Sequence, residues 1–430
     1  MLVDVVRTQG GQAMPASLYA LEDSQTPSYS LPGDLSVDVA IVGAGYTGLS
    51  TALDLARKGV DVVVLEARDV GWGASGRNGG QINPGLKFGP DIVARDLGPD
   101  AVAFSQDAAD RVFEIVSDHA IDCDIRRGGT LRAAIDSADI ASIEALAREA
   151  ERHGIEMHLL CARDMASATG TDRYAAGLLD PAGGQLNPLK FVRGLAGAAT
   201  ELGARIFTNT PVSAASREGG SWLLRTPRGQ VSAKSVLFAT NGYTDGLVPG
   251  LRRSLLPVFS SIVASRPLPH HLAERILREG QSLFEIGTVT TYYRVDARRR
   301  LIFGGRGRMR DASGPGAFPS IAAYAERLWP DLRAVGWEFG WNGRVALTAD
   351  QYPHLHRIED SALACVGFNG RGVAMATAIG RELAGLLIDD PSHRPILPVT
   401  PIRPIALQPF WPLGVGPALA WARLRATFLR

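Results

Sequence analysis

The residues best suited to do chemistry lie near the N-terminus, in the stretch 36–67, SVDVAIVGAGYTGLSTALDLARKGVDVVVLEA. Gly43, Gly45 and Gly48 make a Gly-x-Gly-x-x-Gly turn that encloses Tyr46 and Thr47, and Glu66 followed by Ala67 closes the stretch. Glycines at that spacing serve a pyrophosphate. Gly43 allows the tight turn, Gly45 lets phosphate approach the main chain, and Gly48 lets helix and strand pack closely. Glu66 is an acceptor for the hydroxyls of an adenosine ribose. Just beyond, residues 71–80 read GWGASGRNGG, with five glycines in ten positions. Glycine in ordered structure costs backbone entropy, so the cluster calls for something lying against its main chain. A further glycine turn, Gly367, Gly370 and Gly372, comes late, in LACVGFNGRGVAMATAIGRELAGLL (363–387).

Three kinds of element must position these residues. Val37, Val39, Ile41 and Val42 read as a strand, and Leu49, Ala52, Leu53 and Ala56 as one face of a helix that stops at Gly59. A second strand runs from Val60 to Leu65. The start of the helix offers free N–H groups and a positive dipole end to a phosphate. Strand, glycine turn, helix, strand and acid together form a dinucleotide-binding fingerprint, which suits NAD and FAD equally. A nicotinamide enzyme usually completes its nucleotide domain by repeating βα units at once. Here the glycine turns are spread along the chain, with Ala239-Thr240-Asn241-Gly242 at the end of another apolar strand. That spacing suits a long ligand clasped by distant segments. GGQLNPLKFVRGLAGAATELGA reads as a helix capped by Asn187, started by Pro188 and ended near Gly203.

Composition narrows the class. The 430 residues suffice for two or three domains, and 46% apolar with 21% charged residues is ordinary for a soluble chain. A net charge of +1 gives no field toward nucleic acid or an anionic membrane. Cys123, Cys161 and Cys365 lack paired spacing, which argues against a disulfide framework and fits a reducing cytoplasm. The eight histidines show no metal-ligand pattern. No apolar run reaches membrane-spanning length, and the start of the chain lacks a secretory apolar region. The four lysines are Lys58, Lys87, Lys190 and Lys234.

The stretches DVAIVGAGYTGLSTALDLARKG, VLEARDVGWGASGRNGGQ, GGQLNPLKFVRGLAGAATELGARIFTNTPV, ATNGYT and GFNGRGV resemble the FAD-dependent amine oxidoreductases of the D-amino-acid oxidase and sarcosine oxidase superfamily. The chain looks closest to the γ-glutamylputrescine oxidoreductase-like branch, and the resemblance runs from about residue 30 to 390. It implies an α/β fold, with a discontinuous Rossmann-like FAD-binding domain from 36–90, 185–245 and 340–390. A second, α+β substrate domain on a mixed sheet would come from 91–184 and 246–339. Residues 1–35 would form an N-terminal extension and 391–430 a C-terminal tail. The resemblance also implies that the 71–80 loop passes the pyrophosphate and the flavin ring. Gly73, Gly76, Gly79 and Gly80 would then avoid clashes, Ala74 and Ser75 would supply contacts, Arg77 and Asn78 would flank the cofactor, and Gln81 would sit close to the ring. Val212 would contact adenine through its backbone, and Thr240, Asn241 and Gly242 would border the cofactor. The helix starting near Gly372, with Asn369, Gly370, Arg371 and Val373 around its start, would point its positive end at the flavin.

The implied chemistry is hydride transfer from the α-carbon of a neutral amine or amino acid to flavin, with the imine then hydrolysed. Tyr292, Tyr293 and Arg294 on one strand, and Arg306 on the next, are the candidate pocket residues. Alternation puts Tyr292 and Arg294 on one face and Tyr293 on the other. Trp341 suits either the flavin site or the core. Covalent relatives attach FAD through a cysteine in the segment corresponding to 341–350. WNGRVALTAD contains none, so FAD is expected to be non-covalent. Relatives hold the substrate carboxylate with a lysine where Ala374 stands, and activate oxygen with a lysine in the sheet. No lysine follows Lys234, which leaves O2 and an electron carrier both open as acceptor. A D-amino-acid dehydrogenase and an electron-relaying subunit of a larger complex are the alternatives. Trp421, Leu424 and Phe428 fall on one face of a tail helix, expected to dock on the body rather than on a membrane surface.

Overall fold

Val39, Ala40, Ile41 and Val42 are all buried, which is what the centre of a doubly covered parallel sheet requires. The computed structural model describes residues 14–22, 29–287, 291–391 and 393–411, and shows these four in the strand Leu35–Val42. That strand pairs in parallel with Val62–Leu65 on one side and with Gly229–Phe238 on the other. Arg205–Phe207 and Ala362–Val366 extend the parallel core, and antiparallel strands at His354–Glu359, Ser221–Thr226 and Ala214–Glu218 complete an eight-stranded sheet. From the central strand the chain passes first to Val62–Leu65 and only much later to Gly229–Phe238 on its other side. The crevice at the carboxyl ends of such diverging strands is the usual ligand site of open α/β sheets.

The expected helix is Tyr46–Arg57, and it packs against Pro188–Glu201 and Gly372–Leu387. Asn187 caps the former as read from sequence, its side chain accepting from the N–H groups of Leu189 and Lys190. Leu49, Leu53, Val192, Leu195, Ile379 and Leu383 share one core beneath the sheet.

A second eight-stranded sheet is mixed, running from Trp337–Leu347 through Leu256–Ser265, Leu301–Arg306, Tyr292–Val295, Ser282–Glu285, Thr130–Ala134 and Ala176–Asp180 to His158–Cys161. Residues 340–347, grouped by sequence with the cofactor-binding segments, pair with Leu256–Ser265 and therefore belong to this second sheet. The helix Pro99–Asp118, grouped by sequence with the substrate domain, packs instead on Gly372–Leu387.

Two described segments outside the sheets fold onto this frame, residues 14–22 and 393–411. Leu18 and Tyr19, in the short helix Leu18–Glu22, are fully buried in the core under the first sheet. Of the tail, Gln408 is buried and donates to the carbonyls of Arg252 and Leu255. The proposed tail helix, with Trp421, Leu424 and Phe428, lies outside the described residues.

Candidate active site

A cavity of about 790 Å³ opens between the two sheets. The first sheet and the helix that follows its central strand line one end of it. Gly43 follows the central strand with φ +111°, a conformation open to glycine, and a Cβ there would lie 2.9 Å from the carbonyl oxygen of Ala239. Gly45 precedes the helix start, which no side chain of its own caps, and Ser75 Oγ accepts from the N–H of Tyr46 at 3.1 Å. Gly48 does not line the cavity. A Cβ there would strike the carbonyl oxygen of Gly43, so it serves the packing of helix on turn. Glu66 faces the cavity and accepts from the N–H groups of Ala44 at 2.8 Å and Arg68 at 3.0 Å. Burial raises its carboxyl above the usual range, and those two hydrogen bonds oppose the shift. Tyr46, Thr47, Ala67 and Val212 also line this end.

The glycine-rich loop is held by the protein itself. Asn78 donates to the carbonyls of Ala74 and Ser75 and to Tyr46 Oη, and accepts from the N–H of Gly80. Arg77 is 4% exposed, donates to the carbonyl of Gly73 and to Tyr243 Oη, and lies 4.6 Å from the Trp72 ring centroid. Gly73, Ala74, Ser75, Arg77, Asn78, Gly79 and Gln81 line the cavity. Gly76 and Gly80 do not. A Cβ at Gly76 would strike the carbonyl of Gly71, and one at Gly80 that of Leu186. The expected clash with a cofactor is therefore replaced by close packing on the loop itself at Gly76 and on Leu186 and Arg294 at Gly80. Gln81 Nε2 donates to the carbonyl of Leu283 at 2.8 Å and stitches the loop to the second sheet.

The remaining cofactor candidates sit at strand and helix ends. Thr240, Asn241 and Gly242 line the cavity, and Asn241 Oδ1 accepts from the N–H of Gly367 at 2.9 Å. Asn369, Gly370, Arg371, Gly372 and Val373 line it as well. Arg371 is the N-cap residue of Gly372–Leu387 and donates to the carbonyl of Pro84 at 2.7 Å. Burial, reinforced by the positive charge of Arg132, brings its guanidinium down to about 9.

The substrate-pocket candidates divide. Tyr292 lines the cavity, with its hydroxyl 2.7 Å from Ser260 Oγ. Burial raises that phenol above its usual range, so it stays protonated. Arg306 lines the cavity too. Tyr293 does not; it stacks on Phe303 at 5.5 Å within the core behind the second sheet. Arg294 shares the face of Tyr292 but lies under the glycine-rich loop, outside the cavity lining. It donates to the Gly79 carbonyl at 2.6 Å, Gln185 Oε1 at 3.0 Å and Tyr19 Oη at 3.1 Å. Trp341 is core, its indole N–H donating to the carbonyl of Arg77 at 2.9 Å.

Sequence reasoning missed Lys87, Arg132, Phe284, Tyr243 and Arg344, all of which line the cavity. Single charged or aromatic residues between glycine motifs carry no periodic signal, and only the folding of the second sheet over the first brings them in. Among the described residues no histidine or cysteine lines the cavity. Among the described residues no helix is long and apolar enough to cross a membrane, and no three His, Cys, Asp or Glu side chains are grouped to hold a metal ion.

A parallel sheet with a glycine turn at its switch point, an acid after the second strand and a second sheet closing the crevice define a dinucleotide-binding enzyme of the doubly wound class. Residues 38–386 match the family described as DAO, FAD dependent oxidoreductase, and the chain belongs to it. It is 32% identical to γ-glutamylputrescine oxidoreductase of Escherichia coli over 383 residues, covering 87% of this chain and 89% of that protein. It is also 32% identical to the probable oxidoreductase OrdL of Haemophilus influenzae over 381 residues, 86% of this chain and 87% of the relative. The fold is similar to that of glycine oxidase from Geobacillus kaustophilus, with a TM-score of 0.74 at 21% identity, over 86% of this chain and 99% of the other. The site fits the family's cofactor: a Cβ at Gly45 would meet only Ser75, which leaves the helix start open, and the Glu66 carboxylate stands in the cavity wall.

Proposed function

We propose that the chain oxidises the C–N bond of a small amine or amino acid, with non-covalent FAD held in this cavity. The first sheet and its helices form the cofactor-binding part, and the second sheet faces the substrate. The Gly43–Gly45 turn and the start of helix 46–57 hold the pyrophosphate, Glu66 the ribose, and Val212 borders the adenine. Bound there, FAD supplies the acceptor for a hydride from the α-carbon. The positive end of helix 372–387, with Arg371, favours negative charge on the cofactor. The segment 341–350, WNGRVALTAD, contains no cysteine, which supports non-covalent attachment.

The observation that carries the substrate assignment is the make-up of the cavity wall, where Arg371 and Arg306 share the lining with the amine of Lys87. Burial lowers the ammonium of Lys87 below its usual value, and the cations Arg371 and Arg306 lower it further. The same surroundings lower the pKa of a substrate amine, and only the neutral amine has a C–H bond ready to lose hydride. Tyr292 keeps its proton and needs no basic role. A carrier or O2 takes the electrons onward.

Anaerobic mixing with amines tests this. Flavin bleaching should speed up as pH rises through the amine's perturbed pKa, because neutral amine becomes more abundant, and deuterium at the α-carbon should slow it. If alcohols or hydroxy acids bleach the flavin and no amine does, the assignment fails. Recovery of colour on admitting air, against recovery only with an added quinone or dye, separates O2 from a carrier.

A further inference from the structure

The described tail holds large apolar side chains in solvent at the point where it leaves the body of the protein. As far as Gln408 it is seated. The N–H of Ile405 donates to the carbonyl of Arg253, Gln408 donates to the carbonyls of Arg252 and Leu255, and Ile402 lies against Gly250. Leu407 is nevertheless 76% exposed and Phe410 60%. Leu407 also has φ +57°, in the left-handed region that leucine rarely adopts. That turn puts Gln408 inside and leaves the leucine out. A strained backbone that keeps an apolar side chain in water points to a use for the side chain there.

The surroundings are basic. Arg252 and Arg253, in the short helix Leu251–Ser254 beneath the tail, are exposed, and so is Arg403. Residues 391–430 contain no Asp or Glu, while Arg394, Arg403, Arg423, Arg425 and Arg430 are cations. The small net charge of the chain therefore conceals a basic tail balanced by acids elsewhere. Beyond the described residues the sequence continues the same composition, with Trp421, Leu424 and Phe428 at helical intervals. The segment beneath the tail, 245–255, has one acid, Asp245, which accepts from the N–H of Leu247 at 3.0 Å. Asp245 and Leu247 also line the cavity, so this segment joins the patch to the cavity wall. Exposed leucine and aromatic rings among arginines match the boundary of an anionic lipid layer. The apolar groups enter the acyl region there, and the guanidinium groups stay with the headgroup phosphates. A second copy seated on the same patch would set arginine against arginine.

We propose that Leu407 and Phe410, with Arg252, Arg253 and Arg403, form a docking surface for an anionic lipid membrane, continued by residues 412–430. The surface is independent of the amine oxidation proposed above. The full FAD-loaded chain is mixed with phosphatidylcholine vesicles, with and without phosphatidylglycerol, and floated on a density gradient. It should float with the anionic vesicles, less with the neutral ones, and less again as salt screens the arginines. Leu407→Ser with Phe410→Ser, and Arg252→Gln with Arg253→Gln, should each lower the partition coefficient at least about tenfold, the scale of two buried apolar side chains or two surface arginines. Both double variants should keep the parent's thermal unfolding and flavin content. Failure to float with anionic vesicles, equal flotation with both kinds, or variants that partition like the parent would each overturn the proposal. Self-association lost in the Leu407/Phe410 variant, without flotation of the parent, would assign the patch to a second copy instead. A chain ending at Trp411 that binds vesicles more tightly than the full chain would show that residues 412–430 cover the patch, and would overturn the lipid assignment as well.

Discussion

Glu66 shows how one side chain links fold to ligand. Its carboxylate already orders the turn by accepting from Ala44 and Arg68, and it faces the cavity at the place proposed for the ribose. Glu66→Ala should weaken FAD binding by about 1–3 kcal/mol, the range for hydrogen bonds to a charged group, measured by titrating the apoprotein and following flavin fluorescence. Unchanged affinity would remove Glu66 from the site. The cysteines make a separate prediction. Burial lifts the Cys123 and Cys365 thiols to about 12, whereas Cys161 is exposed. A raised thiol pKa means less thiolate, so near pH 8 a thiol reagent should label Cys161 rapidly and the other two only on unfolding. The two buried thiols favour the fold below the ordinary cysteine pKa, and that contribution fades as pH rises toward their folded values. Glu66 was legible in the sequence because it ends a strand after a glycine fingerprint. Lys87 was not, because a lone lysine between glycines reads the same at a surface as in a cavity.

At the scale of elements, the strands and helices around the glycine turn follow from local pattern. Val39 to Val42 bury as a strand, and Asn187 with Pro188 starts a helix by capping chemistry that needs no distant partner. The glycine-rich loop is different. Gly80 has φ +71°, and a Cβ there would strike the carbonyl of Leu186, so Gly80→Ala should destabilise the protein by about 1–3 kcal/mol in chemical denaturation. Gly79 is not in that conformation, and its Cβ would meet the Tyr292 ring at 2.6 Å. Gly79→Ala should therefore push Tyr292 off Ser260 and impair flavin reduction, while costing less stability than Gly80→Ala. If the two variants lose equal stability and both turn over normally, the loop is not seated as described. The sequence marked the loop as crowded, but its nearest neighbours at Gly76 and Gly80 proved to be its own chain.

For the molecule as a whole, Arg294 is the tie. It is 3% exposed and joins the glycine-rich loop, the small sheet of Gln81–Ile82 with Gly184–Gln185, and the N-terminal Tyr19 to a strand of the second sheet. Arg294→Met would leave two buried acceptors and the half-buried Gly79 carbonyl without this donor, and buried unsatisfied groups cost about 1–3 kcal/mol each, so urea unfolding should show a loss of at least about 2 kcal/mol. Loss of flavin at temperatures where the protein is still folded would place the weakened tie at the loop; a stability equal to the parent's would refute it. The sequence by itself determined the cofactor class and the elements that cradle it, because a phosphate-binding turn is local: glycines, a helix start and an acid at fixed spacing. It did not determine which of Tyr292, Tyr293 and Arg294 faces the cavity. Alternation separates the two faces of a strand, but which face meets the cavity and which the core is set by packing between sheets. Arg294 shares the cavity side of the strand with Tyr292 and yet lies outside the lining, because the loop and Tyr19 cover it. Lys87, Arg132, Arg306 and Arg371 meet only because the chain returns to one crevice from four distant segments, and long-range closure of that kind leaves no trace in local spacing.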